Sequence, residues 1–134
     1  MNLDDKALYA AVLDHVAREL DSHIAAPFSI EPAGEHLALL EVVNGRARLI
    51  SSTSLQEGLE RLPDSCGTLE RQLSEFQDDV AMALRARWPL QTGAGGAPEC
   101  TLQSGVLRIR FHAADAELRL ADLDLGGLGE RPAG

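Results

Sequence analysis

Between Thr68 and Trp88 the apolar residues Leu69, Leu73, Phe76, Val80, Ala83 and Leu84 recur at spacings of three and four, ending in a doublet. That period stacks them on one face of an α-helix. Glu70, Glu75, Asp78, Asp79 and Arg85 fall mostly on the other face. Thr68 is placed to cap the helix, and Glu70 lies where the partial positive charge of the first turn favours an anion. Pro89 ends it, because the residue before a proline resists the αR region. Met82, on the polar side, and Trp88, at the end, stand outside the stripe.

The segments around this helix look made to cover its apolar face. Over residues 3–25, Leu8, Val12, Val16, Leu20 and Ile24 repeat every four positions and predict a first helix. Phe28-Ser29-Ile30, between Pro27 and Pro32, predicts a short edge strand. His36–Val43 and Arg46–Ser51 predict a hairpin, because Asn44-Gly45 suits the left-handed two-residue turn. That register sets Glu41 opposite Arg48, Leu40 opposite Leu49 and Val42 opposite Ala47. It leaves Leu39 and Ile50 on the face of the charged pair, as candidate partner contacts.

Ser54-Leu55-Gln56-Glu57 matches a capping box and predicts a short helix ending at Pro63. After Pro89, the glycine- and alanine-rich stretch 91–97 predicts a flexible loop. It is no phosphate cradle, since no Lys-Ser/Thr follows it. Pro98–Gln103 and Val106–His112 predict a second hairpin turning at Ser104-Gly105. Cys100, Leu102, Leu107, Ile109 and Phe111 share its apolar face, and Glu99, Thr101, Arg108 and Arg110 its polar one. Glu117–Ala121 adds a strand that breaks at Asp122. No internal repeat is visible in the sequence.

The expected fold is α+β: a twisted antiparallel sheet of about five to six strands with two main helices and one short helix, in the order α-β-β-β-(α)-α-β-β-β. Residues 1–125 form the expected domain and 126–134 a flexible Gly/Pro-rich tail. Aromatics are few, so leucine, valine, isoleucine and alanine must fill the core.

Charge narrows the function. The net charge is -9 and Lys6 is the only lysine, which argues against a nucleic-acid surface and against anionic membranes. No stretch is apolar enough to span a bilayer, and the N-terminus lacks the marks of a secretory signal. The expected setting is cytoplasmic, with Cys66 and Cys100 as structural thiols that form no disulfide. Only Cys100 is placed facing the core.

Candidate chemistry is thin. His15, Glu19 and His23 line one edge of the first helix, but no further ligands stand at motif spacing, so a boundary cluster is preferred to a metal site. Asp122-Leu123-Asp124-Leu125-Gly126 lacks the ligand set of a calcium loop. No catalytic constellation can be assembled, so the expectation is a protein-binding module that is not an enzyme and needs no cofactor.

In element order, length and acidity the chain resembles the class I chaperones of type III secretion. The matching pieces are FSIEPAGEHLALLEVVNGRARLIS, TLERQLSEFQDDVAMALRARWP as the long helix, and CTLQSGVLRIRF as the late hairpin. Together they cover most of residues 3–121. The chain departs at its end, where the family usually has a helix and this sequence reads LRLADLDLGGLGERPAG. The resemblance implies a cytoplasmic homodimer, or half of a related heterodimer, holding an extended segment of a secreted effector or translocator protein. The family's dimer contact runs largely through the long helix, which makes Phe76, Met82 and Trp88 candidate contacts beside Leu39 and Ile50. The alternative is an immunity or antitoxin-like protein that blocks a folded toxin, its acidity steering it to a basic partner.

Overall fold

The computed structural model describes residues 5–55, 66–90 and 95–125. The order of elements is α1 (Asp5–Asp21), β1 (Phe28–Ala33), β2 (His36–Val43), β3 (Arg46–Ser54), α2 (Cys66–Leu84), β4 (Ala97–Gln103), β5 (Val106–His112), β6 (Glu117–Arg119) and β7 (Leu123–Asp124). The fold is α+β with two helices. The short helix expected after Leu55 and the expected tail at 126–134 lie outside the described residues.

Both hairpins follow from their turn residues. Asn44 and Gly45 have φ of 54° and 78°, and Ser104 and Gly105 have 55° and 77°. Positive φ at both central positions matches the right-handed twist of the flanking strands. The expected pairs form: Glu41 with Arg48, Leu40 with Leu49 and Val42 with Ala47 in the first hairpin, Glu99 with Arg110 and Thr101 with Arg108 in the second. Arg48 reaches Glu41 at 2.6 Å, and Arg110 spans three strands by pairing with Glu99 and Glu117, each at 2.8 Å.

The single sheet expected from the sequence is instead two antiparallel sheets. One has the order β1-β2-β3; the other has the order β4-β5-β6, with β7 also on β5. β3 and β4 do not pair, and α2 packs against both. The chain thus builds one pattern twice, a helix followed by three strands in a meander. The repeat lies in the order of elements and not in the residues.

One cluster of buried side chains joins the two halves. It draws Val12, Val16 and Leu20 from α1, Leu37 and Leu39 from β2, Leu69, Leu73, Phe76 and Val80 from α2, and Leu107, Ile109 and Phe111 from β5. The expected apolar stripes of both helices are the faces that enter it.

The long helix stops at Leu84, short of the expected end at Trp88. Arg85 takes the left-handed conformation at φ 54°, its N–H donates to Met82 O at 3.3 Å, and the Ala86 N–H donates to Ala81 O at 3.2 Å. This is the paired-bond reversal that commonly closes a helix, with arginine where glycine is usual. Arg85 and Arg87 therefore lie past the helix. The reversal turns Trp88 inward, to 3% exposure. Its ring stands edge-on to Phe76, 6.3 Å between centroids, and 6.4 Å from Phe111. Its indole N–H donates to His23 O at 2.9 Å, which satisfies the one polar atom of the ring.

Gln77, also buried, holds this corner. Its amide nitrogen donates to Trp88 O at 3.1 Å and to Gly96 O at 2.6 Å. Gly95 and Gly96 both have φ of 94°, and a Cβ on Gly95 would sit 2.4 Å from Trp88 O. The end of the expected flexible loop is therefore a buried close approach that admits only glycine; its residues 91–94 lie outside the described ones. Phe76→Ala should cost about 3–5 kcal/mol, because it empties the space under Trp88 as well as its own. Urea denaturation measures it, and a loss no larger than that of a surface change would contradict this packing.

Candidate binding surface

An edge strand in an antiparallel sheet turns every second N–H and C=O away from its neighbour, and those groups need other partners. On β1 the outward positions are Phe28, Ile30 and Pro32. The Phe28 N–H donates to Ala25 O at 3.1 Å, the Ile30 N–H donates to Asp21 Oδ1 at 2.9 Å, and Pro32 has no N–H. On β4, Pro98 has no N–H and the Cys100 N–H donates to Glu70 Oε2 at 2.7 Å. At the junction of β6 and β7 the Ala121 N–H donates to Glu19 Oε1 at 2.7 Å. Ala121 O accepts from His15 Nε2 at 2.6 Å.

The histidines of α1 and of the turn after it thus have partners within the chain. His15 and Glu19, one turn apart, grip both backbone groups of one residue, as a neighbouring strand would. His23 contributes its carbonyl to Trp88. Among the described residues no group of three or more His, Cys, Asp or Glu is placed to hold a metal ion. Asp122 pairs with Arg108 at 3.2 Å. β6 ends at Arg119, before the expected Ala121, and after residues 120–122 the chain rejoins β5 as β7, Leu123 opposite Leu107.

β3 is different. Among the described residues no strand pairs with its outer side. α2 packs beside it, and the Ser51 hydroxyl donates to Asp79 Oδ2 at 2.6 Å. Between Ser52, Thr53 and Ser54 on the strand and Arg71, Gln72 and Glu75 on the helix lies an open groove of about 580 Å³. Gln72 also lines it, 9% exposed, and among the described residues its buried Oε1 has no hydrogen-bond partner.

Apolar surface adjoins this edge. Alternation sets Leu40, Val42, Ala47 and Leu49 on one face of the hairpin. Val42, Val43 and Ile50 are exposed, Leu49 is 59% exposed and Met82 78%. Met82 lies one turn beyond Asp79, the residue whose carboxylate accepts from Ser51 of β3.

Of the residues expected as contacts, Ile50 and Met82 are at the surface, while Leu39, Phe76 and Trp88 are core. The register passes from Leu40 opposite Leu49 to Leu39 opposite Ser51, so a bulge leaves Ile50 without a counterpart on β2, while Leu39 shares the face of Leu37 and enters the core. Below the bulge the inward face of β2 meets the helices; above it the same face carries Glu41 and reaches solvent. Val42, Val43 and Leu49 are the surface residues the sequence reading missed. Three near-consecutive apolar positions at a hairpin tip were the available signal.

The two cysteines also depart from expectation. Cys66, half-buried at the start of α2, meets the buried Cys100 with their sulfurs 3.0 Å apart. Both pack on the core, whereas the sequence places only Cys100 there. Burial, and after it the Cys66 thiol, push the Cys100 thiol well above its ordinary pKa, so it stays protonated and donates toward Cys66.

No family model, no curated protein and no solved structure matches the chain. No described helix is long and apolar enough to cross a membrane.

Removing one grip on an edge tests the edge assignment. Asp21→Ala leaves the part-buried Ile30 N–H without its acceptor and should cost about 1–3 kcal/mol in urea denaturation. An unchanged midpoint would mean that the Asp21 carboxylate does not hold β1.

Proposed function

We propose that this protein is a non-catalytic binding module that holds an extended segment of a partner protein along β3, in the manner of a class I type III secretion chaperone. The observation that carries the reading is the contrast between edges. β1, β4 and the β6–β7 junction have backbone groups bound to helix side chains or turns, or carry prolines without an N–H. Among the described residues no strand pairs the outer side of β3, which is flanked by an open groove, and Leu49, Ile50 and Met82 are exposed. A strand added at such an edge gains main-chain hydrogen bonds, and its alternate side chains reach the groove on one side and the apolar hairpin face on the other.

The partner in this reading is the segment of a secreted effector or translocator that is still unfolded when captured. The working form is a homodimer or a related heterodimer in the cytoplasm, with Met82 on the α2 surface as its contact. The net charge of -9 suits a segment rich in lysine or arginine.

The test is affinity for proteins encoded beside the gene, each offered folded and as an unfolded N-terminal segment. Capture of the unfolded segment alone is the expected result. Leu49→Asp should weaken it by about tenfold or more, some 1.4 kcal/mol, and Met82→Asp should shift the sedimenting species from dimer toward monomer. Tight binding of a folded partner with no affinity for any segment would contradict the proposal and favour the toxin-blocking alternative.

A further inference from the structure

The sulfurs of Cys66 and Cys100 stand 3.0 Å apart although the residues are 34 positions apart in the chain. Neither is on a loop: Cys66 opens α2 and Cys100 lies in the middle of β4. The two elements are fastened at the same place a second time, by the Cys100 N–H on the Glu70 carboxylate one helical turn further on. Backbone docking, and not side-chain flexibility, thus sets the distance. An S–S bond of about 2.05 Å requires an approach of only about 1 Å more. The two residues differ in burial, since Cys66 is half-buried and Cys100 is buried.

We infer that Cys66 and Cys100 form a thiol–disulfide exchange site whose substrate is a low-molecular-weight disulfide, with Cys66 as the attacking sulfur and Cys100 as the resolving one. The inference does not depend on the proposed function. In the first step the Cys66 sulfur, having given up its proton, attacks one sulfur of the small disulfide. One small thiol leaves and takes up that proton, and a mixed disulfide remains on Cys66. In the second step the Cys100 sulfur attacks Cys66, the Cys66–Cys100 bond forms, and the second small thiol leaves with the Cys100 proton. Two protein thiols are oxidised and one small disulfide is reduced to two thiols, so atoms and electrons balance. Exposure fixes the order of attack, because a small disulfide reaches Cys66 and not Cys100. The burial that keeps the Cys100 thiol protonated holds it in reserve until the mixed disulfide is beside it.

The product clamps the first turn of α2 to β4 and closes the chain between positions 66 and 100 into a loop, which restricts the unfolded chain. The experiment treats the whole protein with glutathione disulfide, alkylates the remaining thiols and weighs the intact chain. The expected product has lost two hydrogens, takes up no alkylating agent, contains no interchain link and reverts with dithiothreitol. Its denaturation midpoint is higher than that of the reduced chain. Cys100→Ala, which keeps the buried position apolar, should stop at one glutathione on Cys66, and Cys66→Ser should stay unmodified. A native chain that retains two alkylatable thiols, accumulates the glutathione adduct, or is oxidised into linked pairs of chains would overturn the inference. The native-chain measurement stands even where a variant fails to fold.

Discussion

Two small antiparallel sheets have four edges, and the described residues hold two helices with which to cover them. That constraint organises the molecule. An uncovered edge presents a row of unpaired donors and acceptors and is a template for another strand. α1 serves two edges at once. Asp21 at its C-terminal end holds Ile30 of the first sheet, and His15 with Glu19 holds Ala121 of the second. α2 serves β4 through Glu70 and touches β3 through Asp79, whose partner is the Ser51 hydroxyl and not the backbone. Among the described residues no strand pairs with the outer backbone of β3.

The placing of the helices depends in turn on the corner around Trp88. The helix reversal at Arg85 delivers the indole between Phe76 and Phe111, and its N–H reaches back to His23 just beyond α1. Gln77 ties the carbonyls of Trp88 and Gly96 together from within the core. The link between α2 and β4 is therefore fixed at both of its described ends, and α2 is held against β4 more firmly than against β3. A groove on the β3 side is the geometric consequence.

Most local structure was legible in the sequence, because it is decided locally. Asn44-Gly45 and Ser104-Gly105 fix turn type, turn type fixes register, and register places Glu41 beside Arg48 and Glu99 beside Arg110. The helical stripes were equally readable. What failed depends on distant parts of the chain. Whether β3 and β4 join or stay apart is decided by where α2 lies, and no pattern within either strand carries that. The bulge at Ile50 breaks the expected pairing of Leu39 with Ile50 without a glycine to announce it, and Leu39, on the face of Leu37, is core. Arg85 in a left-handed helix cap has no compositional signature, so Trp88 read as the end of a helix. Ile50 and Met82 were legible as surface residues because each breaks the polarity of its own face. The meeting of Cys66 with Cys100 is a tertiary fact that their separate positions did not contain.

The claim that β3 is the edge reserved for a partner rests on main-chain groups, so amide hydrogen exchange addresses it most directly. The Ile30, Cys100 and Ala121 amides, already bound to Asp21, Glu70 and Glu19, should exchange slowly in the free chain and change little when a partner segment is added. The outward amides of β3, at Ala47, Leu49 and Ser52, should exchange fast in the free chain and slow by an order of magnitude or more in the complex. A complex in which those three amides keep their free-chain rates, while protection appears at β1 or β6, would contradict the account.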